Sequence, residues 1–273
     1  MSADFLTIDS PADVALAARA LHDGRVVATA FGNIYAIVAE PSATAVRRVN
    51  LAKGRPAGQI GSVTAAADGI PALFDWTEVA RRLDVPRLAA LLVALARTGP
   101  IGFRGPAAPH LPEHLTQVDA GVRTAQVITP GTACPSNALF AQATAALGRD
   151  HLYVTSANRS RHATGAAEEP AHWRAAELEV DLRHMPDLTV IAHRDEEAAR
   201  NAYPRHLPMS VTLVSFHDPG TGPSPMLTVE RHGSLHLSDV RRIAAPLGFT
   251  VTPGRAAAQR LPVRAYARAQ APA

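Results

Sequence analysis

Leu51-Ala52-Lys53-Gly54-Arg55-Pro56, LAKGRP, holds the single lysine of a 273-residue chain with 27 basic residues, every other one an arginine. An ammonium is a compact, strongly hydrated point charge and a guanidinium is a rigid planar fork, so the two are not interchangeable. The pair therefore raises the question of chemistry on an anion. Ser42 can cap a helix over ATAVRRVNLA (43–52), and Gly54 and Pro56 end it, which sets Lys53 and Arg55 on a loop just past a helix.

Working outward, Ser10-Pro11-Ala12-Asp13 supplies a capping hydroxyl, a first-turn proline and an acid for a helix over 11–22 that stops at Gly24. RVVATAF and IYAIVAE read as strands on either side of a turn at Gly32-Asn33. Downstream come a short strand at GSVTAA, helices near 75–82 and 86–97, a strand at PIGF and a proline-rich loop over 105–112. The strand AGVRTAQ, the helix SNALFAQATAALG and the strand of HLYVTSAN follow. The last third predicts a helix near 167–178, strands at LTVIAHR, SVTLVSF and MLTVERHG, and a helix at LSDVRRIAAPLG. Strands and helices mix without a steady βαβ rhythm, so the expectation is an α/β fold, a mixed sheet with flanking helices.

Composition limits the partners. With 47% apolar residues the chain can bury a sizeable core, and no linker divides it, so one domain over 1–250 is expected. Residues 254–273 carry four arginines and no acid, leaving 23 bases against 24 acids before them. The basic character thus belongs to a tail over 251–273, expected to be disordered. The N-terminus has acids where a leader has bases, and no apolar stretch reaches the length of about 18 residues that a membrane span needs, so a cytoplasmic protein without membrane contact is expected. A lone Cys134 suits a reducing compartment and reads as a small buried or helix-capping thiol.

Local motifs decide little by themselves. His110-Leu111-Pro112-Glu113-His114 has the letters of H-x-x-E-H, but Pro112 prevents the continuous helix that would face both imidazoles to one metal, and no metal site is expected. Gly102-Phe103-Arg104-Gly105 fits a G-x-x-G nucleic-acid loop only by a two-glycine pattern, with the wrong flanks. No Walker or Rossmann glycine pattern is present. A third set is more telling: Lys53, Arg55, Arg123, Ser156, Asn158, Ser210 and Arg231 all fall near ends of predicted elements, where ligand groups converge.

In order along the chain, GRVVAT, a tyrosine after a turn, KGRP, GP, VR, TSAN, S-V-T and R-x-G resemble the YrdC-like family of threonylcarbamoyl-adenylate synthases, over about residues 10–245. The match rests chiefly on the K-x-R and S-x-N motifs, here Lys53-Gly54-Arg55 and Ser156-Ala157-Asn158. The resemblance implies an open, twisted sheet with a concave basic cavity. It also implies a reaction of L-threonine, bicarbonate and ATP, with Mg2+ accompanying the nucleotide, that forms threonylcarbamoyl-adenylate and pyrophosphate for tRNA modification. Lys53 and Arg55 would then be catalytic, and Arg123, Ser156, Asn158, Thr164, Ser210 and Arg231 would bind substrate or nucleotide.

The chain departs from the family pattern on one side. Where that pattern has P-T-[DE]-T-V-Y-G-L, this chain reads Ala30-Phe31-Gly32-Asn33-Ile34-Tyr35-Ala36-Ile37, and Phe31 has no hydroxyl. Gly99-Pro100-Ile101-Gly102 stands for G-P-x-T, Ser160-Arg161 for the S-G after S-A-N, and Ser210-Val211-Thr212 for S-T-V. The groups for phosphate persist while those for the amino acid change. The expectation is a divergent nucleotidyltransferase with altered or lost use of L-threonine; the alternative is a non-catalytic nucleotide- or RNA-binding module.

Overall fold

The antiparallel hairpin of β2 (Val26–Phe31) and β3 (Ile34–Ala39) is buried at every position, because strands flank both of its edges and helices cover it. Its turn uses Gly32 at φ +63, and a Cβ there would lie 2.6 Å from the Pro100 ring, so the close approach requires glycine. The Asn33 amide donates to His206 O at 2.8 Å and fixes that turn.

The computed structural model describes residues 5–160, 169–220 and 225–266. Among these, twelve strands form one mixed sheet in the order β1-β9-β2-β3-β8-β4-β7-β5-β10-β11-β12. The strands not yet given are β1 (Leu6–Thr7), β4 (Ser62–Thr64), β5 (Ile101–Pro106), β7 (Val122–Thr129), β8 (Leu152–Ser156), β9 (Leu188–Ala192), β10 (Leu213–Ser215), β11 (Met226–Arg231) and β12 (Thr250–Pro253). β6 (Thr116–Asp119) lies off this path as the hairpin partner of β7. Parallel and antiparallel pairings alternate irregularly: β9 is parallel to β1 and β2, β8 antiparallel to β3 and β4, and β10 parallel to β5.

The first two helices match expectation because their signals are local. In α1 (Pro11–His22) the Ser10 side chain accepts from Asp13 N, and the helix buries Val14, Ala17, Ala18 and Leu21. In α2 (Ala43–Ala52) Ser42 caps by accepting from Ala45 N. Further on, after the short α3 (Trp76–Ala80), α4 (Val85–Ala96) sends Leu88, Leu91, Leu92 and Leu95 into the core from one face. At about 2 kcal/mol for each fully buried leucine, that stripe holds the helix down. α5 (Ser136–Leu147) packs against α1.

Two expectations shift. The helix predicted near 167–178 is found at Ala175–Leu182, after an extended stretch in which His172 N bonds to Ala157 O and Trp173 joins an aromatic cluster. The expected boundary at 250 falls inside the sheet, since β12 pairs with β11. The described part of the basic tail is also anchored. Arg260 Nε donates to Gly233 O at 2.9 Å, and Arg264 bonds Pro170 O, Glu169 and Asp181. The Tyr266 hydroxyl accepts from Trp173 N at 3.0 Å. Acids and carbonyls far away in sequence give these arginines partners that composition cannot reveal; residues 267–273 lie outside the described residues.

Candidate functional site

Lys53 closes α2. Its backbone N–H bonds Val49 O at 3.0 Å, and Gly54 at φ +66 turns the chain so that Arg55 N bonds Asn50 O at 2.8 Å. This turn sends the two side chains of the K-x-R motif to β8 at different depths. Lys53 is 1% exposed. It donates to Thr155 Oγ1 at 3.3 Å, to Asn158 Oδ1 at 3.1 Å and to the Ser156 carbonyl. Arg55 Nη1 reaches the same Thr155 hydroxyl at 2.7 Å from the other side. The Ser156 hydroxyl donates to Asn158 Oδ1, and the Asn158 amide donates to Glu169 O.

The four residues of the two motifs are therefore in one place, in two layers. Arg55 and Ser156 line a cavity of about 210 Å3 over one face of the sheet, whereas Lys53 and the fully buried Asn158 lie behind its wall. Ser210 and Arg231 line the same cavity. Arg231 Nε donates to Val211 O at 2.8 Å, which orients its guanidinium.

Arg123 is not brought to the cavity. Side chains alternate along β7, and Thr124, Gln126 and Ile128 face the cavity, which puts Arg123 on the opposite face. There it donates to Ala108 O at 3.2 Å and to Leu111 O, tying down the proline-rich loop. Thr164 lies outside the described residues.

Sequence reasoning missed Arg104. It lines the cavity from β5, with Nε on Glu230 at 2.7 Å and Nη2 on Gln126 at 3.1 Å. It stands in the G-x-x-G stretch, which is part of a strand and not a loop. Arg55, Arg104 and Arg231 thus converge on one recess, and among the described residues no carboxylate lines it. Three forks in a partly enclosed space favour an anion with several oxygens. Ser62, Gln59, Gln117 and Gln126 add neutral hydrogen-bonding groups.

The remaining wall is apolar or weakly polar. Phe31 and Ile34 from the hairpin, Leu115, Ile128 and the Tyr153 ring form it. Burial pushes the Tyr153 phenol up, against the pull of Arg55, so it stays protonated. Behind the hairpin, burial holds His206 down to about 4, and the neutral ring is bonded to Thr98 and Ser234. Cys134 is 3% exposed and its sulfur accepts from Gly32 N, so the thiol supports the hairpin turn. The H-x-x-E-H letters do not share a helix face: His110 pairs with Asp150 at 2.6 Å, while His114 bonds Pro41 O.

No family model and no curated protein match the chain. Solved structures do. Sua5 from P. abyssi, in a crystal structure with L-threonine, is 19% identical with a TM-score of 0.62, over 89% of this chain and 60% of that one. The hypothetical protein smu.1377c from Streptococcus mutans UA159 is 15% identical with a TM-score of 0.62, over 88% of this chain and 94% of that one. E. coli YciO is 17% identical with a TM-score of 0.53, over 78% and 89%. The chain thus corresponds to 60% of the length of the Sua5 chain. No helix among the described residues is long and apolar enough to cross a membrane. The mixed sheet with its central hairpin is thus a fold this chain shares with Sua5, smu.1377c and YciO, at identities of 15–19%.

Proposed function

We propose that the chain binds ATP or a related nucleotide through its phosphates and acts as a divergent nucleotidyltransferase of the threonylcarbamoyl-adenylate synthase type. The observation that carries this reading is the convergence of Arg55, Arg104 and Arg231 on one recess beside Ser156. A carbamate and a triphosphate repel each other, and a catalyst that joins them must offset several negative charges while holding oxygen and phosphorus in line. In such a step the carbamate oxygen bonds the α-phosphorus, the bond to the bridging oxygen breaks, and pyrophosphate leaves. The three guanidiniums supply that field. Lys53 acts from behind the wall, fixing the Thr155–Asn158 segment on which Ser156 stands. With no carboxylate in the described lining, Mg2+ entering with ATP would be held by the phosphates and not by a protein cage.

The apolar wall at Phe31 and Ile34 points away from unmodified use of L-threonine, the ligand named for the P. abyssi Sua5 crystal. It also favours the second reading, nucleotide or RNA binding without catalysis. The experiment is pyrophosphate release from ATP and bicarbonate across a panel of amino acids, with Arg55→Ala as control and ATP binding measured alongside. Arg55-dependent release with one amino acid supports the enzyme. ATP binding without release for any of them assigns the binding module, and absence of ATP binding overturns both nucleotide readings. RNA binding is separated by salt, since phosphate tracking weakens steeply as salt is added.

A further inference from the structure

Beside the cavity lining, three side chains with metal-ligating atoms meet, carried by β6, β11 and the segment that follows β10. Asp119 ends β6, His217 follows β10 and Glu230 lies on β11. One ligand atom of each lies within 4.8 Å of the other two, and His217 Nε2 is 3.2 Å from Asp119 Oδ2. We propose that this triad binds a first-row divalent cation of the Zn2+ or Mn2+ class, one hydrogen bond away from the anion cavity.

Charge is the first reason. Two carboxylates drawn to one point repel, and Arg104 meets only one of them, Glu230, at 2.7 Å. A dication between them offsets both.

The imidazole is the second. His217 is 5% exposed, and its Nδ1 is engaged by Ser215 Oγ at 2.8 Å. With the proton on Nδ1 donated to that oxygen, the Nε2 lone pair points at the two acids, the arrangement in which an outer partner fixes a ligating ring. Glu230 is held in the same way by Arg104. Metal bonds of about 2.0–2.2 Å set ligand atoms roughly 3–3.5 Å apart, a spacing the His217–Asp119 pair already has. Asp119 can close the remainder, because it is half-exposed and adjoins a turn with Ala120 at φ +47 and Gly121 at φ +76. One nitrogen and two carboxylates suit Zn2+ or Mn2+ better than Ca2+ or Mg2+, which prefer all-oxygen shells.

A second cluster of the same composition type, His110, Asp150 and His151, shows what the first has that it lacks. His151 Nδ1 faces Asp150 at 2.6 Å, but its Nε2 is buried with no hydrogen-bond partner among the described residues. A metal on Nδ1 would move the ring proton to that dry position, which disfavours binding.

The site bears on the cavity through Glu230. A cation that neutralises this carboxylate leaves the Arg104 charge to act on an anion beside Gln126, whatever anion the cavity takes, so the inference stands apart from the nucleotide reading.

The test is calorimetric titration of the metal-free chain with ZnCl2 and separately with MnCl2. The expected result is one ion per chain, with affinity reduced about tenfold or more in His217→Ala and in Asp119→Asn, and unchanged in His110→Ala. Asp119→Asn, at a half-exposed hairpin end, keeps the test valid should His217→Ala fail to fold. The absence of saturable binding, equal affinity in the Asp119→Asn variant, or loss in His110→Ala would each overturn the assignment.

Discussion

The region behind the Thr155–Asn158 segment and the cavity in front of it receive the two cations of one tripeptide and use them in opposite ways. Behind the wall, Lys53 is enclosed and its ammonium meets a hydroxyl, a carbonyl and an amide oxygen. In front, Arg55 shares the same hydroxyl yet faces a recess with two more guanidiniums. A charge in a dry pocket organises the backbone around it, because each partner it leaves unsatisfied costs free energy. At the cavity face, the second charge borders the recess that the proposed phosphate would enter.

That contrast is breakable. The largest effect is expected from Lys53→Ala, which removes the charged donor shared by Thr155, Ser156 and Asn158 and should lower stability by about 3 kcal/mol. Urea unfolding measures it, and a loss under about 1 kcal/mol would mean that the ammonium is no structural pin. Next comes Arg55→Ala. Removing one charged hydrogen-bonding fork should weaken ATP or pyrophosphate binding about 10- to 100-fold, with a smaller change in stability than for Lys53→Ala. Calorimetry on both variants sharpens the comparison: if Lys53→Ala folds normally and loses more ligand affinity than Arg55→Ala, the roles are reversed. The smallest effect is expected from Arg123→Ala, which faces the other side of β7 and should leave ligand affinity within about twofold while costing about 1 kcal/mol from the loop it ties down.

How much of this was legible in the sequence depends on how local the signal is. Ser10 and Ser42 each mark a helix start within three residues of the group they cap, and both helices lie where the sequence puts them. The K-x-R and S-x-N motifs were likewise readable, and they meet in space. Strands of two to four residues such as β1, β6 and β12 carry too few positions for a period to register. The face of Arg123 was unreadable for a different reason. On Val122-Arg123-Thr124-Ala125-Gln126 polar residues occur on both faces, because one face lines a polar cavity and the other carries a loop-binding arginine, so alternation cannot say which side is inside. Arg104 hid between two glycines that looked like a turn, although they sit in a strand: a Cβ at Gly105 would come 2.1 Å from the Phe216 ring. Tail order depended on acids about ninety residues upstream, beyond any local reading.

The strand order has a further consequence, for how the chain reaches this state. β2 and β3 find their sheet neighbours in β9 and β8, and β5 finds one in β10, each more than a hundred residues further along the chain. Such pairings return nothing until long loops have closed, so contact order is high and folding slow for the chain's size. Neither half of the polypeptide carries a complete sheet of its own. The recess with three arginines therefore comes into being only when the last strands dock, and a partly folded chain has no site to offer.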